Sequence, residues 1–462
     1  MATEPESAGE VEAGSVGTGT AADAVLKPIT SLSKPYIALV LILGGFTLLY
    51  AEALVHQLRH GLIVTDMASW GTQAGVTWGL YIGAFEWYAG VALGSIATAA
   101  YIRYRQLDQY EMLARIGELW AVISAMAAAF LIVIDLGRPE RVIYVMMNWP
   151  DTVQHSPLAW DVTFVTTLIV VSVTMLVLSL RRDYGWMDVE FPRHVKPIEK
   201  ILTLGYQPSE DAKLGSMLRY MGAGMLILVV TAGMVPGWLF GVVGPQPGYY
   251  GKIQGVVFIT GGIPAGIGAI AVIGYMMRRI YGMEDQIPDE TFATFGKALA
   301  LFTFIYLIVL FNQFMPMVFP MAPLGGAVIA EEMLFGALST YFWTSVLLMM
   351  AVVLWLTALY TYRQISTGAT VVASIVVMFA VFIKKNLAVL EPLMFPVGLP
   401  YVHGVYSPTL VEWIITLGVL LIAILGFIVA IKFVPMCSGS GPCCEPEDAT
   451  TDFESADTEV KA

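Results

Sequence analysis

The chain has 462 residues, of which 57% are hydrophobic and 13% are charged, and its mean hydropathy is +0.73. This composition excludes a water-soluble globular protein, because such proteins carry about twice that share of charged residues. The formal net charge of −12 argues against nucleic acid as a partner, since the phosphate backbone would repel the chain.

Ten apolar stretches are each long enough to cross a bilayer as a helix, which takes about 20 residues. In chain order they span 36–56, 76–102, 114–136, 158–180, 216–242, 252–280, 294–319, 338–363, 368–391 and 409–434. A bilayer provides no water for unpaired backbone groups, and the sequence lacks the alternating short strands of a membrane barrel. We therefore predict an all-α integral membrane protein with its membrane domain over 36–435.

The amino-acid composition of both ends of the chain predicts disordered acidic tails. The first tail spans residues 1–35, of which 1–25 are acidic and rich in Gly, Ala and Ser, and no signal peptide is visible. Residues 436–462 form the second tail, which contains Cys437, Cys443 and Cys444. The spacing of these cysteines fits no strong zinc or iron–sulfur pattern, which favours free or lipidated thiols over a metal site.

The positions of the basic residues predict the orientation of the chain. If both termini lie on one side, that side holds 18 of the 24 Lys and Arg residues and the other side holds four. The remaining two, Lys384 and Lys385, fall inside a predicted helix. Since basic residues concentrate in cytoplasmic loops, we expect a multi-pass protein of the cell membrane with both termini in the cytoplasm.

The histidines predict that the chain holds no haem and no metal. A membrane haem b needs histidines in the middle of facing helices, and none of the five histidines lies there. His56 and His60 are four residues apart at the outer end of the first helix, where an interfacial pair is favoured over a metal site. If the protein serves electron transfer, another subunit must therefore carry the electrons.

Several ionisable side chains lie in or near the second, third and fourth predicted helices. Asp135 and Arg138 lie in the segment Asp-Leu-Gly-Arg-Pro, where the third helix meets water, and Glu86 lies near mid-membrane. Charge at such depth usually marks function, although Asp135 and Arg138 could instead form a salt bridge that ties the helix end. A quinone ring needs aromatic neighbours and a protonatable group at each carbonyl. We predict a quinone pocket on the outer side, made by Tyr81, Glu86, Asp135, Arg138, His155 and Asp161.

A proton path across the membrane is a further hypothesis. Glu118, near the cytoplasmic end of the third helix, could begin such a path, or its side chain could snorkel to the interface. A second path could use Lys297, Asn312 and Lys384. Since Lys384 and Lys385 are adjacent and point to different faces of one helix, we expect at least one of them to pair with an acid in the interior.

Short segments of the sequence resemble motifs of the NrfD-type membrane subunit family. They are Trp78–Tyr81, Ala89–Ser95, Asp135–Pro139, Ser156–Val162 and Tyr406–Trp413. Together they cover the second to fourth helices and the last one. Within that family, the sequences of these segments and the number of helices most resemble the membrane subunits of alternative complex III and the longer reductase anchors.

The resemblance implies a quinone-binding anchor, with menaquinone expected, that has no redox centre of its own. It implies two adjacent four-helix bundles, over 76–242 and 252–391, flanked by the first and last helices. It also implies an iron–sulfur subunit on the outer face, which relays electrons to or from a molybdopterin or haem c partner. Asp135 and Asp161 would lie near the quinone.

The chain departs from some members of that family at two places. It has Phe85-Glu86 in a region where some relatives have a histidine. It has Lys384–Asn386 where many relatives carry an Arg-based motif. Because of the first departure, Glu86 is the candidate for the role of that histidine. The second departure leaves open whether the second bundle takes part in proton movement.

Three functions are compatible with the sequence. The leading hypothesis is a quinone-binding subunit of a respiratory oxidoreductase, in which catalytic cofactors belong to other subunits. A secondary transporter is the alternative, because Pro236-Gly237 and Gly261–Pro264 could break two helices around a midplane site. The third is a scaffold that anchors an enzyme without touching quinone. The direction of electron flow and the terminal substrate depend on the partner subunits.

Overall fold

The computed structural model describes residues 28–29, 34–67, 76–186, 191–242, 253–284, 286–319, 326–394 and 406–435. These residues form helices, turns and irregular segments and contain no β-strand, which confirms the all-α fold class. Nearly all of the two predicted tails, together with His403 and the three cysteines, lies outside the described residues.

Within that part of the chain, ten helical segments are long and apolar enough to span a membrane, as predicted. The ten helices are α1 Lys34–His60, α2 Leu80–Arg105, α3 Glu111–Asp135, α4 Pro157–Trp186, α5 Asp211–Thr231, α6 Gln254–Tyr281, α7 Asp289–Phe314, α8 Ser339–Thr361, α9 Thr367–Met394 and α10 Leu410–Ala430. Shorter helices lie in the connections, among them Gly326–Leu334 between α7 and α8.

The two segments considered as helix breaks behave differently. A 3₁₀ turn at Ala232–Met234 follows α5, and the chain then continues as the helix Val235–Gly241. Helix α6 is continuous, with Pro264 inside it, so the expected break at Gly261–Pro264 does not occur. An unwound segment that could line a midplane transport site is therefore not formed in α6.

Helix packing divides the membrane domain into two groups. Helices α2 to α5 pack together, and so do α6 to α9. Helices α2, α6 and α9 contact one another between the groups, and we call this region the seam. Helix α10 packs against α1 and α3. Helix α2 is the most buried of the ten, which places its side chains at the centre of the protein.

Hydrogen bonds stabilise the start of α10. It lies at the end of the membrane domain where α3 finishes, which we call the Asp135 end, and Thr409 and Glu412 form a capping box there. The Tyr406 hydroxyl donates a hydrogen bond of 2.5 Å to Glu412, and burial and the Glu412 carboxylate raise the pKa of Tyr406 above its ordinary value. Tyr406 therefore keeps its proton as a donor. The opposite end, where α2 finishes, is called the Arg103 end.

Glycines allow α2 and α6 to approach closely in the seam. Gly90 and Gly94 of α2 lie against Gly262 and Gly266 of α6. A Cβ atom added to Gly94 would lie 2.2 Å from the carbonyl oxygen of Gly262, and one added to Gly262 would lie 2.7 Å from that of Gly90. Since real Cβ atoms do not come so close to carbonyl oxygens, these positions require glycine.

Gly262→Ala is expected to destabilise the protein by about 1–3 kcal/mol, because the added methyl group forces α2 and α6 apart. Gly224→Ala on α5 is the matched control, since its Cβ would meet no atom of the described residues within 4 Å. Thermal unfolding of both variants in detergent measures the difference. Equal unfolding temperatures would contradict the close contact at the seam.

Candidate functional site

A buried ion pair joins the two helix groups across the seam. The Lys385 ammonium on α9 lies 2.9 Å from Oε2 of Glu86 on α2, and the two side chains are 2% and 4% exposed. The ammonium also lies 3.8 Å from the ring centroid of Phe258 on α6. The expectation that one of the two adjacent lysines pairs with an interior acid is thus confirmed. The Lys385 ammonium on α9 contacts residues of both α2 and α6.

Asp161 is a second buried acid close to this pair. Its side chain is 1% exposed, and it lies within electrostatic range of Glu86. Among the described residues, neither Asp161 carboxylate oxygen has a hydrogen-bond partner, and Oε1 of Glu86 also lacks one. Buried carboxylate oxygens are costly without a donor, so these three oxygens are available to a ligand or to water.

Tyr81 and Asp135 lie together nearer the Asp135 end. The Tyr81 hydroxyl donates a hydrogen bond of 2.5 Å to Oε1 of Gln57, and the Gln57 amide donates one of 3.2 Å to the carbonyl oxygen of Ile134. The Asp135 carboxylate lies within electrostatic range of Tyr81 and of Glu412. These residues link α1, α2, α3 and α10 in a polar layer above the ion pair.

Arg138 and His155, by contrast, lie exposed on the surface. Among the described residues no ion pair joins Asp135 to Arg138, so the alternative of a salt bridge at this helix end is not realised. Gly137 between them has a φ of +68°, which turns the chain away from α3. Arg138 instead lines an open concavity of about 530 Å³ together with Arg141.

His155 lines a groove of about 420 Å³ between the start of α4 and the helix Val235–Gly241. Trp160 and Trp238 line the same groove, and Asp161 follows Trp160 on the buried side of α4. The structure therefore does not gather the six predicted residues in one outer pocket. It gives a buried acid pair, a polar layer with Tyr81 and Asp135, and two exposed residues.

The predicted path through the second group of helices is not assembled. Lys297 and Asn312 are exposed on α7, where Lys297 lies 4.8 Å from the ring centroid of Tyr360. Asn312 donates a hydrogen bond of 2.8 Å to the carbonyl oxygen of Ile308, within its own helix. Only Lys384 is buried. The reason is helical geometry, because the buried face of α7 contains neither Lys297 nor Asn312.

Six charged side chains, five of them buried and one partly buried, form a network at the Arg103 end. Arg103 binds Glu118 at 2.9 Å and Glu111 at 2.7 Å, while Arg115 binds Asp183 at 2.5 Å. The members are Arg103, Glu111, Arg115, Glu118, Arg182 and Asp183. Glu118 is fully buried, so the snorkelling alternative is wrong. Three cations and three anions balance, which makes the burial of this many charges tolerable.

Sequence reasoning overlooked several members of these clusters. The pairing of Lys385 with Glu86 joins residues 299 positions apart, and no spacing rule predicts it. Tyr306 and Gln57 are polar residues within long apolar helices, which was the available signal. The hydroxyl of Tyr306 is buried within electrostatic range of Glu86. Among the described residues, no group of three or more His, Cys, Asp or Glu side chains could hold a metal ion.

Asp183→Asn is expected to lower the free energy of unfolding by about 3–5 kcal/mol, because it removes a charge partner from a fully buried arginine. Arg115 would keep the more distant carboxylate of Glu111, at 3.6 Å. Glu210→Gln is the control, since the Arg181–Glu210 pair is partly exposed and contributes at most about 1 kcal/mol. Thermal unfolding measures both, and similar losses for the two variants would contradict a tightly coupled network.

Comparison with known proteins agrees with the architecture. The family model described as "Polysulphide reductase, NrfD" matches residues 68–396. A putative dimethyl sulfoxide reductase membrane subunit from Halobacterium salinarum is 24% identical over 440 residues, which cover 90% of this chain and 94% of the relative. A selenate reductase subunit from Mesobacillus selenatarsenatis is 23% identical over 401 residues, which cover 82% of this chain and 89% of the relative.

The family match spans well over half of the chain and includes α2 to α9, with both Glu86 and Lys385. The relatives match over nearly their whole length, so the similarity concerns the complete membrane domain. This chain therefore belongs to the NrfD family of polysulphide reductase-type membrane subunits.

Proposed function

We propose that this chain is the quinone-binding membrane subunit of a respiratory oxidoreductase complex. The observation that carries the proposal is the buried pair Glu86–Lys385 with Asp161 beside it, because it supplies unpaired proton acceptors inside a membrane domain. Membership of the NrfD family and two relatives named as reductase subunits support a place in such a complex.

The groove beside α4 is the proposed entry for the quinone ring. It lies at the Asp135 end between α4 and the helix Val235–Gly241, and its volume of about 420 Å³ is within the usual range for small-molecule pockets. Trp160 and Trp238 are 52% and 41% exposed, so they offer apolar faces to a ring that arrives from the bilayer. Asp161 follows Trp160 in the sequence and is buried, so it lies behind the residues that line this groove.

The two acids have complementary roles in the proposed reaction. Oxidation of a quinol releases two electrons and two protons, and the O–H bonds that break need acceptors within hydrogen-bond reach. Asp161 accepts the first proton and Glu86 the second, while both electrons leave to the partner subunit. Lys385 holds Glu86 in place by its ion pair. Reduction of quinone uses the same groups in the opposite direction.

The partners in this proposal occupy the Asp135 end. An iron–sulfur subunit docks there, on the outer side of the cell membrane, and exchanges electrons with a molybdopterin or haem c subunit. The exposed Arg138 and Arg141 at this end support a polar docking surface. Menaquinone is the proposed quinone, and both termini lie in the cytoplasm.

Asp161→Asn and Glu86→Gln are expected to lower the quinol-dependent electron-transfer rate of the purified complex by about 10²- to 10⁴-fold, since each removes a proton acceptor. Glu52→Gln is the matched control, because Glu52 is exposed on α1 and should leave the rate unchanged. Steady-state assays with a soluble menaquinol analogue measure the rates. Wild-type rates in both site variants, with no quinone retained on purification, would instead support a scaffold.

The ion pair and the chemistry can be separated with a double variant. Lys385→Met is expected to lower the free energy of unfolding by about 3–5 kcal/mol, because it leaves Glu86 buried without its cation. Adding Glu86→Gln removes the unpaired charge and should restore most of the stability but not the quinol-dependent rate. Thermal unfolding and turnover are measured on the same preparations. Restored turnover in the double variant would exclude Glu86 as a proton acceptor.

A further inference from the structure

A groove lies in the other group of helices, between α7 and α8. Its volume is about 590 Å³, and all the described residues that line it are apolar. Phe311, Leu347 and Leu354, on these two helices, are each more than half exposed on the surface that faces lipid. The short helix Gly326–Leu334 closes the groove at the Asp135 end, where the Trp343 indole donates a hydrogen bond of 2.9 Å to the carbonyl oxygen of Leu334.

One aromatic ring separates this groove from a buried cation. Phe314 lines the groove and packs on Phe342, with their ring centroids 4.9 Å apart. The Lys384 ammonium lies 5.2 Å from the centroid of the same Phe314 ring. A rotation of the Phe314 side chain would therefore connect the groove with Lys384.

Lys384 and Glu391 form an unsatisfied polar end behind that ring. They are 1% and 5% exposed, and they lie two helical turns apart on α9, within electrostatic range of each other. Among the described residues, Oε1 of Glu391 has no hydrogen-bond partner, and the Lys384 ammonium lies beside the Phe314 ring. A buried acceptor without a donor, close to a buried ammonium, indicates a polar group that is supplied from outside the chain.

We propose that this groove and its polar end form a second binding site for an isoprenoid quinone or quinol. The inference rests on the proposed function and extends it from one quinone site to two. The isoprenoid chain fills the groove, and the head group passes Phe314 so that Lys384 donates to one oxygen and Glu391 accepts from a hydroxyl. A ring with one oxygen at each side matches this arrangement of a single donor and a single acceptor.

Charge around the groove favours a quinone over a phospholipid. A phosphate group needs basic residues at the membrane surface, and none of the described residues that line the groove is basic. The helix that closes the groove instead carries Glu331 and Glu332, which repel a phosphate. A neutral head group meets no such repulsion.

Photolabelling of the purified complex tests the proposal. The probe is an azidoquinone with an isoprenoid chain, and mass spectrometry identifies the labelled peptides. We expect labels on peptides of α7 and α8 in addition to those of α2 and α4. Val346→Trp and Leu354→Trp fill the groove at two different depths, and either should abolish the α7 and α8 labels and lower the quinone content of the complex by about half. Val372→Trp, at an exposed position of α9 outside the groove, is the control.

The outcomes separate this proposal from the first one. Labels on α2 and α4 alone, unchanged by the groove-filling variants, would overturn the second site and leave the proposed function standing. Labels on neither group would overturn both. A phospholipid in the groove, identified by native mass spectrometry and not displaced by quinone, would also overturn the second site. Lys384→Met should weaken labelling of α7 and α8 while the labels on α2 and α4 stay constant.

Discussion

The structure depends on the compensation of charge inside a medium that does not solvate it. A carboxylate in the middle of the membrane needs a cation or a proton, and Glu86 has the cation of Lys385 at 2.9 Å. That contact fixes α2 against α9 and so fixes the two groups of helices relative to each other. The glycine contacts between α2 and α6 allow the same seam to close, because they bring the backbones near enough for these side chains to meet.

Polar side chains lie at three depths of the membrane domain, and the depths differ in how their charges are paired. The network at the Arg103 end is balanced, with Arg103 and Arg115 each bound to an acid within 3 Å. The seam holds one paired acid, Glu86, and Asp161 on the neighbouring helix α4 has no hydrogen-bond partner among the described residues. The Asp135 end holds a hydrogen-bonded layer around Tyr81. A network of paired charges stabilises the fold, whereas a buried acid that has no ion pair among the described residues is available for binding, which is why the proposals concern Asp161 and Glu391.

Residue type and depth together predicted part of the candidate site. Glu86 and Asp161 are acids within apolar helices, and both are buried as a functional role requires. Arg138 and His155 lie in connecting segments, and segment position alone could not show that they face away from the interior. Lys297 and Asn312 failed as path residues for a related reason. A helix that is apolar on all sides gives no periodic signal for its buried face, since lipid and protein interior are equally apolar.

By itself the sequence determined the all-α class, the ten membrane helices and the family, because hydrophobic length and short ordered motifs are local properties. Only the tertiary structure decided which charges meet. Glu86 and Lys385 are 299 residues apart, and Arg115 and Asp183 lie on different helices whose mutual rotation no local pattern fixes. Partner choice among buried charges depends on helix rotation and distance, and these follow from packing across the whole domain.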